Sequence, residues 1–205
     1  MLAMNAWGGL QGKLPVRGRR LNVGFTLIEL MVTISIAAIL LAVGVPSFVA
    51  FQRNSELTGA ANSLLAAMNA VRGEAMKENT NSFIVPNTGG WEKGWTLFVD
   101  NNLDNTKNAG DRIIAANDNP LPSYFEVFGT GTAFESTPYI SFNGSGYPRT
   151  TGSNLGNMTL NIQRKDLTGA QQLEQTRRVK ISKTGRVRVC KPLTASDPNC
   201  LASDP

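Results

Sequence analysis

Hydrophobic and polar positions divide the chain into three stretches. From Phe25 to Val45 runs FTLIELMVTISIAAILLAVGV, 21 residues with Glu29 as the only charge. As a helix this segment is roughly 30 Å long, the thickness of the hydrocarbon core of a bilayer. A buried core helix of such length normally carries a polar stripe, and this one has none. The segment therefore predicts a transmembrane helix over 25–45. Beyond Pro46, Leu57, Ala61, Leu64, Met68, Val71 and Ala75 recur at alternating spacings of four and three, while Arg53, Glu56, Arg72, Glu74 and Lys77 mostly fall on other faces. That is one apolar stripe on a continuing helix. Helix is expected over 25–79, about 80 Å in all, with its second half needing a cover. Pro46 lacks an amide donor and should bend or locally loosen the helix at the preceding turn.

After Asn79 the period changes to short β-type runs broken by Gly, Asn and Pro. Strands are expected at 82–85, 95–99, 112–115, 124–128, 139–142, 158–163, 177–182 and 186–190, with loops or hairpin turns at 100–111, 143–156 and 183–185. The fold class this implies is α+β: a long N-terminal helix packed on an antiparallel β head over 80–205.

Composition narrows the chemistry. The 205 residues include no histidine and two cysteines. Ser-His and Cys-His nucleophilic sites and imidazole or four-thiolate metal sites are thereby excluded. No catalytic constellation, cofactor site or metal site stands out, so a non-enzymatic protein is expected. Charge is unevenly placed. Residues 1–24 carry +4 from Lys13, Arg17, Arg19 and Arg20, residues 25–163 carry −4, and residues 164–191 carry +7. Bases before the apolar segment and none directly after it put the N-terminus in the cytoplasm and the head outside. A cleaved secretory signal is the competing reading. Its apolar region is normally shorter, and no A-x-A site closes this one.

Glu29 is the anomaly of the segment. A carboxylate deep in lipid costs about 2.5–3.5 kcal/mol even on the lenient insertion scale, so it calls for a partner. The stretch Gly24-Phe25-Thr26-Leu27-Ile28-Glu29-Leu30 resembles the class III prepilin signal of type IV pilins and type II secretion pseudopilins. The resemblance implies a leader over 1–24, cut after Gly24 by a prepilin peptidase that methylates the new Phe25 amine. It also implies that Glu29 pairs with the terminal amine of a neighbouring subunit during filament assembly, and that Pro46 is the family's helix-bending proline. Farther along, Gly-Trp-Thr-Leu-Phe-Val-Asp (94–100), Ser-Phe-Asn-Gly-Ser-Gly (141–146) and Thr-Gly-Arg-Val-Arg-Val (184–189) are similar to the GspH/FimT family of minor pilins and pseudopilins.

Three features of the head carry candidate chemistry. The loop Asp100–Asp111 has acids or amides at EF-hand positions 1, 3, 5, 9 and 12. It lacks the central glycine, ends in a short Asp and has strand-like flanks, so a polar turn is the better reading than a calcium loop. Cys190 and Cys200, outside the cytoplasm, are expected to form a structural disulfide tying the tail to the last strand, with about 3 kcal/mol from loop closure. Finally, strand alternation puts Arg178 and Lys180 on one face and Arg186 and Arg188 on another, with Val179, Ile181, Val187 and Val189 inward. With Lys183 in a turn made flexible by Gly185, the two faces together would form a basic patch.

A solvated edge strand accounts for such charges as well as a phosphate-binding surface does. The resemblance adds that FimT-type members carry a C-terminal Gly-Arg-x-Arg motif used for DNA binding in natural transformation, and Gly185-Arg186-Val187-Arg188 matches it. No aromatic accompanies the patch, so binding of double-stranded DNA would be independent of sequence and sensitive to salt. The expectation is an inner-membrane minor pilin of a type IV pilus tip or priming complex, with other pilins, the prepilin peptidase and DNA as partners. A minor pseudopilin of type II secretion is the alternative.

Overall fold

The structure, a computed structural model, describes residues 24–150 and 154–202. The leader expected over 1–24 thus lies outside the described residues except for Gly24. Helix α1 covers Leu27–Glu78 and contains Pro46. The chain forms two units whose boundary falls at that proline.

In the first unit, helix α1 starts with a capping box. Thr26 Oγ1 accepts the Glu29 N–H at 3.2 Å, and the Glu29 carboxylate accepts the Thr26 N–H at 3.5 Å. Thr-x-x-Glu satisfies two of the donors that a helix start leaves open. Every residue from 24 to 52 is exposed. The apolar part of α1 is long enough to cross a bilayer, and none of its most apolar stretch is buried inside the molecule.

In the second unit, the C-terminal part of α1 turns the predicted stripe inward. Leu57, Ala61, Leu64, Met68, Val71 and Ala75 are all fully buried, joined by Ala60 and Ala67. Among the described residues, nine strands form two antiparallel sheets. The first is ordered β3-β2-β1-β5-β6, from β1 (Ser82–Asn87), β2 (Gly90–Val99), β3 (Arg112–Asn117), β5 (Ile140–Phe142) and β6 (Pro148–Arg149). The second is ordered β4-β7-β8-β9, from β4 (Phe125–Gly129), β7 (Met158–Arg164), β8 (Thr176–Ile181) and β9 (Val187–Cys190). One apolar cluster joins the helix stripe to Ile84, Leu97, Ile140 and Phe142 of the first sheet and to Leu160, Ile162, Val179 and Ile181 of the second.

The eight expected strands are present, with shifted ends. The largest shift is in β2, which starts five residues before the expected 95 because Thr88 and Gly89, with Gly89 at φ 101°, make a tight hairpin from β1. Three short elements escaped the sequence reading: β6, the 3₁₀ turn Gly131–Phe134 and helix α2 (Gly169–Glu174). The 3₁₀ turn closes the core edge, where Ala133 O accepts the buried Trp91 indole N–H at 2.8 Å. At the far end of α1, Arg112 of β3 bonds Glu74 at 2.5 Å and Glu78 at 3.4 Å. That guanidinium, with Lys77, holds the Glu74 carboxyl below its usual range.

Candidate functional site

The β8–β9 hairpin carries the candidate site. Register pairs Val179 with Val189 and Ile181 with Val187 on the core side, and Lys180 with Arg188 and Arg178 with Cys190 on the other. The alternation read from sequence is therefore the one found. The turn is not flexible as expected, however. Gly185 N–H closes it onto Ser182 O at 2.8 Å, and Lys183 N–H donates to Asn157 Oδ1 at 2.8 Å. Gly185 is itself buried at φ 79°, and a Cβ there would lie 2.1 Å from Gly146 O. That same oxygen accepts Arg72 Nε at 2.9 Å. Two of the sequence motifs, 141–146 and 184–189, thus meet backbone to backbone beside Arg72 of α1.

The nine bases of 164–191 do not form one patch. Arg164 bonds Asp166 and lies 5.8 Å above the Tyr124 ring, over which Arg53 also stacks at 4.8 Å. Arg177 reaches Asn54 at 2.7 Å. Both serve the contact of the second sheet with α1. Arg178 and Lys180, expected on a solvent face, are only 6% and 9% exposed. The reason is the C-terminal tail: Arg178 donates to Cys200 O, and Lys180 Nζ donates to Leu201 O at 3.2 Å. Burial lowers the pKa of Arg178, opposed by the charge of Asp197. Arg188 is half-buried and donates to Asn199 O at 2.6 Å. Arg186 and Lys183 alone of the five expected residues are freely exposed. A groove of about 380 Å³ opens here, lined by Lys180, Arg186, Arg188, Ser182, Thr184 and Pro198 among others.

The tail owes its path to the disulfide Cys190–Cys200, whose Cα atoms are 5.9 Å apart. Asp197 folds it: its carboxylate accepts the N–H groups of Leu193 (3.0 Å) and Asn199 (2.9 Å), which lower its pKa. The 100–111 loop spends its carboxylates in the same way. Asp100, buried, accepts the N–H groups of Asp104 and Asn105, and Asp111 accepts those of Asn101 and Asn108. Among the described residues, no three acidic or thiol groups are placed to hold a metal ion.

A profile of the family described as Type II transport protein GspH matches residues 60–185, and one of the prokaryotic N-terminal methylation motif matches residues 23–45. The chain belongs to the GspH family. GspH-family chains are structural pilin or pseudopilin subunits and not enzymes. Membership together with the methylation motif implies processing by a prepilin peptidase, anchoring through the apolar helix and assembly with other pilins. Among solved structures, the type IV minor pilin FimU of Pseudomonas aeruginosa is similar at 19% identity and TM-score 0.52, over 70% of this chain and 98% of that one. The minor pseudopilin EpsH of the Vibrio cholerae type 2 secretion system is similar at 17% identity and TM-score 0.48, over 67% and 98%. No curated protein sequence matches the chain.

Proposed function

We propose that this GspH-family chain is a minor subunit of a type IV pilus that touches DNA through its β8–β9 turn. In this reading the precursor crosses the inner membrane once, N-terminus inside, and is cut after Gly24. Phe25 then carries the methylated amine, and Glu29 meets the amine of a neighbouring subunit. The head stands in the periplasm and later in the tip or priming complex of the filament. Lys183, Arg186 and Arg188 neutralise backbone phosphates of duplex DNA whatever its sequence. The observation that carries this is the placement of Arg186 and Lys183: exposed, on a rigid turn, beside a groove with the Ser182 and Thr184 hydroxyls.

The full chain in detergent should bind a fluorescent duplex weakly, with log K falling against log salt at a slope of about −2 to −3, near −0.9 for each phosphate contact. Arg186→Ala/Arg188→Ala should cut affinity about a hundredfold or more, since each of the two lost charge-assisted contacts is worth about 1.5–3 kcal/mol. Equal binding by wild type and double variant removes the hairpin from the account.

The family description, a type II transport protein, favours a second reading as a minor pseudopilin of a secretion system. Chromosomal neighbours separate the two: pilus-assembly genes support the first and a secretion operon the second.

A further inference from the structure

The outer face of β8 and β9 is built from cations and then covered. Residues 199–202 run across it and offer one main-chain oxygen after another. Asn199 O takes Arg188, Cys200 O takes Arg178, Leu201 O takes Lys180, and Ala202 O takes the Asn161 amide at 3.3 Å. The oxygens that take these bonds are main-chain and neutral, and Asp197, a carboxylate of the tail, offsets the charge of Arg178. Arg178 Nε is buried with no hydrogen-bond partner. Desolvated cations are a poor way to stabilise a packed face, because apolar side chains of similar volume do so at least as well. What this face retains is positive charge, usable where the cover is absent.

Besides the covalent tie, the cover is held by those polar bonds, and the segment that leads to it is little packed. Between the cysteines only Pro192 and Asp197 are buried, while Lys191, Leu193, Thr194, Ala195, Ser196, Pro198 and Asn199 are exposed. Segments with few buried apolar contacts open first once a constraint is cut. Losing the disulfide also returns loop entropy to the open chain.

We propose that the tail over 191–202 is a removable strap that gates the size of the basic surface. With Cys190–Cys200 intact it masks Arg178 and Lys180 and engages Arg188. When a dithiol reduces the bond, the strap leaves and the face widens from Lys183, Arg186 and Arg188 to all five cations. In that exchange the Sγ–Sγ bond breaks, and two electrons and two protons pass to Cys190 and Cys200. The dithiol closes to its own disulfide. The ligand of the widened face is a phosphodiester polyanion, so this inference rests on the DNA reading above.

The test uses the full chain in detergent, oxidised or treated with dithiothreitol, beside a Cys190→Ser/Cys200→Ser variant. Acetylation of Lys180 by an amine reagent, followed by mass spectrometry, reads the strap directly. Anisotropy of a labelled DNA duplex reads the surface. Lys180 should be protected when oxidised and labelled when reduced or in the serine variant. Reduction should tighten DNA binding and steepen the salt slope by about 2, near 0.9 for each of the two cations recruited. Adding Arg178→Gln/Lys180→Gln to the reduced protein should abolish that gain.

Unchanged protection of Lys180 after reduction overturns the strap, whatever DNA does. Labelling of Lys180 with unchanged, Arg186-dependent DNA binding overturns the gate and leaves the DNA reading standing. Labelling with no DNA binding in any form overturns the DNA reading, and the gate with it.

Discussion

Replacing Glu29 with valine is expected to leave a cleaved, membrane-bound subunit that is missing from filaments. Glu29 is the one charge in the apolar run 25–45, and its insertion cost of about 2.5–3.5 kcal/mol has to be offset. In the described chain it is offset locally, by the capping box with Thr26 and by the positive end of the helix dipole. Cleavage after Gly24 would add a positive amine on Phe25 at that same helix end. In a filament, a neighbour's amine is the partner that the resemblance to pilins supplies. An interaction of about 3 kcal/mol corresponds to roughly a hundredfold in subunit incorporation, read by immunoblot of the sheared filament fraction. Glu29→Gln separates the two roles, because glutamine also completes a capping box but carries no charge. Loss with both variants supports the acid–amine contact. Normal incorporation of the glutamine variant assigns Glu29 to capping alone.

Gly185→Ala is expected to be the most damaging small substitution in the β8–β9 turn, at about 2–5 kcal/mol of unfolding free energy. Part is the left-handed backbone, which costs a residue with a Cβ about 1–2 kcal/mol. The rest is collision: the new Cβ would lie 2.1 Å from Gly146 O and 3.0 Å from Arg72 Nε. Relief has to push the turn away from Gly146 O, which Arg72 of α1 holds in place, a typical overpacking cost of about 1–3 kcal/mol. Gly169 supplies the control. Its φ is also positive, 59°, but a Cβ there meets nothing within 4 Å, so Gly169→Ala should lose only the backbone part. Urea denaturation of the two variants compares them, and equal midpoints would contradict the packing argument. The glycine of Gly-Arg-x-Arg is thus a close-packed point of the fold, and its loss should weaken DNA binding only by way of stability.

Periodicity made the architecture legible. A stripe at spacings of four and three can only be one helix face, and Leu57 through Ala75 lie on it. Alternation likewise fixed which side chains of β8 and β9 meet the core. Short elements were illegible for a plain reason: β6 is two residues long and α2 six, below any period. The basic patch misled because side-chain parity gives a face but not what covers it. Arg178 and Lys180 are covered by carbonyls of 200 and 201, groups that every residue carries and no sequence pattern marks. The cysteine pair was the available signal, since a tail tied at Cys200 has to cross its own last strand. The capping box is written in Thr26 and Glu29, inside the stretch whose resemblance to the prepilin signal implies an assembly role for the acid.

The most direct measurement on the whole account is the N-terminal residue of the protein recovered from cell membranes that contain a prepilin peptidase. Intact-mass and terminal sequencing should find N-methylated Phe25, and a Gly24→Val variant should still begin at Met1. A wild-type protein that keeps its first 24 residues, or one cut beyond Val45 and released from the membrane, would contradict it.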